Sequence, residues 1–105
     1  IVFSTVRTNL RRIARVGDDL NNQIASTGFA VIRPKANVNA AFIFYYVSSD
    51  EFVNEVTLLQ RGASYPAVRS SDVFSRRIPL APLPEQKRIV AKLDNLFAHL
   101  DQLKA

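Results

Sequence analysis

Cysteine is absent from this 105-residue chain, which removes disulfides, thiolate nucleophiles and cysteine-ligated zinc from its chemistry. Such a composition fits a cytoplasmic protein. Histidine occurs once, at His99 between Ala98 and Leu100, with no second histidine to share a metal or complete a triad. It reads as a partly exposed helix residue. The three glycines, at 17, 28 and 62, stand alone, so no glycine-rich phosphate loop is present. The longest apolar run, residues 40–47, is too short to span a bilayer, and no membrane partner is expected. No signal-peptide pattern opens the chain. It starts on Ile1 inside a strand-like run, and the expectation is a piece of a longer protein. Glu85-Gln86-Lys87 matches the Glu-x-Lys of metal-dependent nucleases. Here it opens a helix behind a proline, and the preceding acid, Asp72, has no proline beside it. We read the tripeptide as a coincidence. Nothing resembles a methyl-donor pocket, so neither cofactor nor metal nor intrinsic catalysis is expected.

What is present begins with the last quarter, residues 78–105, around which the chain is organised. Pro79, Pro82 and Pro84 come first and no proline follows. Proline fixes φ and lacks an N–H, so Pro84 reads as a first-turn residue, with Glu85 suited to the positive end of the helix dipole. Ile89, Leu93, Leu96, Leu100 and Leu103 then recur at spacings of 4, 3, 4 and 3. That is an a/d seam of coiled-coil type, widened by Val90 and Phe97. These five residues are the candidates for pairing with a second helix. Lys87, Lys92, Asp94, Asp101 and Lys104 are expected to face water. A final amphipathic helix folded onto its own domain is the alternative.

Upstream, residues 1–6 read as a strand, 7–9 as a turn and 10–16 as a second strand with Arg11 and Arg15 on one face. Gly17-Asp18-Asp19 signals a turn, residues 23–26 a short strand, and 29–33 a clearer strand ended by Pro34. Together residues 1–34 suggest an antiparallel meander. Ala40, Phe42, Ile43, Tyr46 and Val47 predict a helix, and Ser48-Ser49-Asp50-Glu51 offers a Ser-x-x-Glu capping box for the next. Phe52, Val53, Val56 and Leu59 supply that second helix's apolar face, with Gly62 able to cap its end. Residues 63–68 read as a loop around Pro66, 71–74 as one helical turn, and 75–80 as a last strand. The expected fold is α+β, a small antiparallel or mixed sheet with two packed helices, followed by the long helix. Residues 1–80 would be one domain and 81–105 the helix.

The formal net charge is +5. Residues 1–80 hold ten Lys and Arg against six Asp and Glu, or +4, so the excess lies on the globular part. It is almost all arginine, which suits forked contacts to phosphate or guanine and points to a polyanion partner. Arg7, Asn9, Arg11 and Arg12 gather at one turn, and Arg61, Ser64, Tyr65 and Arg69 at another. With Lys35 they are the candidate DNA contacts. Arginine and asparagine can read base edges bidentately, and the remainder can hold phosphates.

The string IPLAPLPEQKRIVAKLDNLF at 78–97 closely resembles the segment closing a target recognition domain in specificity subunits of type I restriction–modification enzymes. ASTGFAVIRPK at 25–35, YYVSSDEF at 45–52 and RGASYPAVRSSDV at 61–73 resemble the same family in the same order. The resemblance implies a non-catalytic module reading one half of a split sequence in double-stranded DNA. It implies a conserved helix that pairs in an antiparallel coiled coil as a spacer, a methylation subunit docked on it, and a restriction subunit in the complex. The chain would be the later part of one recognition domain plus the start of a spacer helix, able in isolation to self-associate through that helix. Two alternatives stand beside this: an assembly module with DNA contacts elsewhere, and a recognition domain fused into a single-chain restriction–methylation enzyme.

Overall fold

The computed structural model describes residues 1–17, 28–62 and 66–104. Three short strands form an antiparallel sheet, β1 (Val2–Ser4), β2 (Ile13–Ala14) and β3 (Phe29–Val31), in the order β2-β1-β3. Val2 pairs with Ala14 on one side and Val31 on the other, and Phe3 with Ile13 and Ala30. The sheet is therefore not the meander expected from its order in sequence. β1 is central because it carries the residue that the core needs most. Phe3 is 1% exposed and meets Phe52 edge to face, with ring centroids 5.7 Å apart. Burying a side chain of that size is worth about 1.5–3 kcal/mol.

The second strand is shorter than the 10–16 expected. Thr8–Leu10 forms a 3₁₀ turn, and Arg11 takes a left-handed conformation before the chain becomes extended. The suggested strand at 23–26 and the turn at 17–19 lie wholly or partly outside the described residues.

Helix α1 (Ala40–Val47) starts at Asn39, whose side chain accepts a hydrogen bond from the Phe42 N–H at 3.1 Å. Its sequence, AAFIFYYV, is apolar on nearly every side, and the packing explains why. One face joins the core through Phe42, Ile43 and Val47, while another receives the long helix. Helix α2 (Asp50–Thr57) follows after two serines. Its cap is Ser49, which accepts from the Phe52 N–H, and Asp50 and Glu51 fill the first turn where the dipole favours acids. The expected capping box is one residue out of register. Ser48 Oγ instead donates back to the Phe44 carbonyl, leaving Ser49 in the extended conformation that a cap requires.

Beyond α2 the chain returns to the sheet. Arg61 and Val6 each bridge to Ala67, and the Val68 N–H donates to the Thr5 carbonyl at 2.8 Å. Gly62, with φ 95°, turns this loop rather than capping α2, which already ends at Thr57. Helix α3 (Ser70–Phe74) contributes Val73 to the core. No strand forms at 75–80. Pro79 has no N–H to donate, and Arg76 turns back to the Asp72 carbonyl and the Glu55 carboxylate.

Helix α4 (Leu83–Lys104) is 22 residues long, a rod of roughly 33 Å. Pro82 and Pro84 bracket its first residue, and the Pro82 carbonyl accepts from the Glu85 and Gln86 N–H groups. No helix among the described residues is long and apolar enough to cross a membrane.

The helix is tied to the body by Gln86, which is 1% exposed. Its Oε1 accepts from the Asn39 N–H at 2.8 Å, and its Nε2 donates to the Ala81 carbonyl at 2.7 Å. Gln86→Leu keeps the bulk but leaves that N–H and that carbonyl without a partner, at about 1–3 kcal/mol for a buried polar group. A urea midpoint lowered by that free energy divided by the unfolding slope, with the slope itself unchanged, is the expected result.

Candidate nucleic-acid interface

The turn after β1 is held in an unusual backbone. Arg7 (φ 45°) and Arg11 (φ 55°), on either side of the 3₁₀ turn, are both left-handed. Each such non-glycine residue costs on the order of 1–2 kcal/mol. The cost is met by anchors from two other segments, the end of α2 and the loop at 66–68. The Arg7 N–H donates to the Pro66 carbonyl at 2.8 Å. The Thr8 N–H donates to Gln60 Oε1 at 2.7 Å, and the Thr8 hydroxyl shares a hydrogen bond with Thr57 at 2.8 Å. Thr8 is only 2% exposed, so the middle of the turn is pinned inside while its neighbours face out.

Around this turn the structure gathers most of the predicted basic residues. Arg7, Asn9, Arg11, Arg12, Arg61 and Arg69 are all exposed. Arg11 donates to the Asp50 carboxylate and to the Ser48 carbonyl. Arg61 pairs with Asp72 at 3.1 Å. The same carboxylate accepts from the Arg69 N–H at 2.8 Å, and these two bonds hold its pKa below the ordinary aspartate value, the backbone bond contributing most. Ser64 and Tyr65 lie outside the described residues.

Lys35 is not part of the cluster. Because β3 runs antiparallel to β1, residues 33–35 leave the sheet at the end opposite the turn. Six residue steps of largely extended chain separate Ile1 from Arg7, roughly 20 Å. Arg15 and Arg33 lie at that far end too, where both lower the pKa of the Ile1 amino group after burial has done so.

The five seam residues of α4 fall into two sets. Ile89, with Val90 beside it, packs against the core, and Leu93 is half-buried. Leu96 and Leu100 are about half exposed, at 48% and 49%, and Leu103 is 71% exposed. The domain therefore covers the near end of the seam and leaves the far end open. Phe97 marks the boundary, stacking on Tyr45 of α1 with centroids 5.6 Å apart. Asp94, expected to face water, accepts a hydrogen bond from the Tyr45 hydroxyl, which raises the tyrosine pKa. Glu85 pairs with Arg88 one turn along the helix.

Sequence reasoning missed the residues that hold these surfaces in place. Thr8, Thr57 and Gln60 carry no local signal, since their partners are about fifty residues away. Gln86 did carry one. It lies seven residues before Leu93, in the buried row of the seam, where a polar side chain demands partners.

Residues 3–105 match the family model described as the type I restriction modification DNA specificity domain. Curated relatives agree. The chain is 35% identical over 75 residues to the EcoKI specificity subunit of Escherichia coli K12, covering 71% of this chain and 16% of that protein. It is 31% identical over 74 residues to the StySPI specificity subunit of Salmonella potsdam, covering 70% and 16%. With the EcoDI specificity subunit of Escherichia coli it shares 24% identity over 104 residues, or 99% and 22%. The aligned part is thus about a fifth or less of the length of these relatives. No solved structure matches the chain at a significant level. The match over nearly all of its length shows that this chain belongs to the type I restriction–modification DNA specificity domain family.

Proposed function

We propose that this chain is a non-catalytic DNA-recognition module of a type I restriction–modification complex. Residues 1–80 read one half of a split target in double-stranded DNA. Residues 81–105 begin a spacer helix, beside which the methylation subunit docks and the restriction subunit is brought into the complex. Family membership supports the class of function. The observation that carries the reading to particular residues is the convergence of Arg7, Arg11, Arg12, Arg61 and Arg69 on one strained, anchored turn. A guanidinium cluster on a rigid frame suits phosphate contacts that fix register while neighbouring side chains meet base edges.

Each phosphate neutralised lowers the logarithm of affinity by about 0.9 per decade of salt. Arg12→Ala, at an exposed position of that turn, should lower this slope by about one if Arg12 holds a phosphate. Fluorescence anisotropy with a short duplex, from 50 to 300 mM salt, measures it. Unchanged affinity and slope for alanine variants at all five arginines would remove the turn from the DNA interface.

The open end of the α4 seam supports the helix-pairing half of the reading. Exposed leucines at heptad spacing form an association surface, and each one fully buried is worth roughly 1.5–3 kcal/mol. In isolation the chain should therefore dimerise through α4 in antiparallel register. Leu100→Asp with Leu103→Asp should yield a folded monomer by sedimentation equilibrium. A wild-type chain that stays monomeric at high concentration would rule out pairing by this segment alone.

A further inference from the structure

We infer that Asn9 is a specificity-determining residue, reading an adenine edge in the major groove. The inference rests on the DNA-recognition reading above and deepens it by naming a base. Asn9 is the middle residue of the 3₁₀ turn and is exposed. Its predecessor, Thr8, is clamped to Thr57 and Gln60, and the left-handed residues Arg7 and Arg11 fix the chain on either side. The backbone at Asn9 is thus held from its Thr8 side by contacts to another segment, and on its other side by the local hydrogen bonds of the turn.

The side chains around the turn differ in what they have left to offer. Arg11 is engaged by Asp50 and Ser48, and Arg61 by Asp72. Neither the Asn9 amide nor the Arg12 guanidinium has a hydrogen-bonding partner among the described residues. Among the described residues, Asn9 therefore presents a carbonyl and an NH₂ with no partner, on a backbone anchored at Thr8. Adenine alone among the bases shows the complement in the major groove, an N7 acceptor beside an N6 donor. A guanidinium near it is suited to a phosphate or a guanine, so the two free groups divide into a base reader and a second contact. Preorganisation gives the division its force, because a base contact discriminates only when the side chain cannot drift toward an alternative partner.

Selection from a randomised duplex pool by the 105-residue chain tests this directly. The wild type should enrich adenine at one position. Asn9→Ala should lose preference there alone, by roughly 5- to 150-fold, the range for one bidentate base contact. The substitution removes an exposed amide that has no partner among the described residues, so circular dichroism should show the fold unchanged. Replacing that adenine by 7-deazaadenine removes the N7 acceptor. The analogue should weaken the wild type and leave Asn9→Ala indifferent. Uniform weakening of every sequence by Asn9→Ala would make the residue a phosphate contact and overturn the inference, as would an unchanged motif. A wild-type chain that binds duplex DNA without base preference also overturns the inference but leaves the recognition interface standing. Failure to bind DNA at all would overturn both.

Discussion

A buried amide, Gln86, fixes how α4 leaves the rest of the described structure. Gln86 is polar at both ends, and both ends are used, one on the backbone that starts α1 and one on the backbone that leads into α4. Hydrogen bonds of this kind add only about 0.5–1.5 kcal/mol each to stability, but they are directional in a way that apolar packing is not. Ile89 and Val90 could slide along α1 and remain buried; Gln86 fixes the register. The Tyr45–Asp94 hydrogen bond and the Tyr45–Phe97 stack repeat the constraint two to three turns further along. The helix therefore leaves the body in one direction, and its open leucines begin where the last of these contacts ends.

The basic turn depends on the same logic. Its strained residues lie between strands, where the local hydrogen bonds are only those of the 3₁₀ turn itself. What holds them is the C-terminal end of α2 and the returning loop at 66–68, brought there because Phe52 and Val56 must pack against Phe3. Burial of three apolar side chains thus places Thr57 and Gln60 under Thr8. The surface is a consequence of the core.

Much of this architecture was legible in sequence, for reasons that differ by element. α4 was readable because its apolar periodicity is long and proline marks its start, and α1 because apolar residues at 42, 43, 46 and 47 fit a helix turn. α3 was readable as one turn because Asp72, at its third position, can accept from the Arg69 N–H. Sheet order was not legible. Strand alternation says which face is buried, not which neighbour is chosen, and β1 became central through Phe3. The strand at 75–80 failed for a related reason: half of the segment is polar or charged, and with a proline it does equally well as coil when one residue, Ile78, reaches the core. The arginine positions were legible, but their carboxylate partners were not, since Asp50 stands 39 residues from Arg11.

Those carboxylates bear on how an arginine cluster could work. Pairing each of Arg11 and Arg61 with an acid leaves the net charge at +5, so the long-range attraction toward a polyanion is not reduced by it. What changes is the local state of the guanidinium. The Arg11–Asp50 pair is exposed on both sides, and such a pair is worth about 0–1 kcal/mol, enough to bias the side chain toward one region but too little to resist exchange for another anion. A free arginine would carry more rotamer entropy into the contact and lose it there. If the proposed DNA contact at this turn holds, Asp50 would stand where a phosphate oxygen is to bind, whereas Asp72 stays tied to the Arg69 N–H.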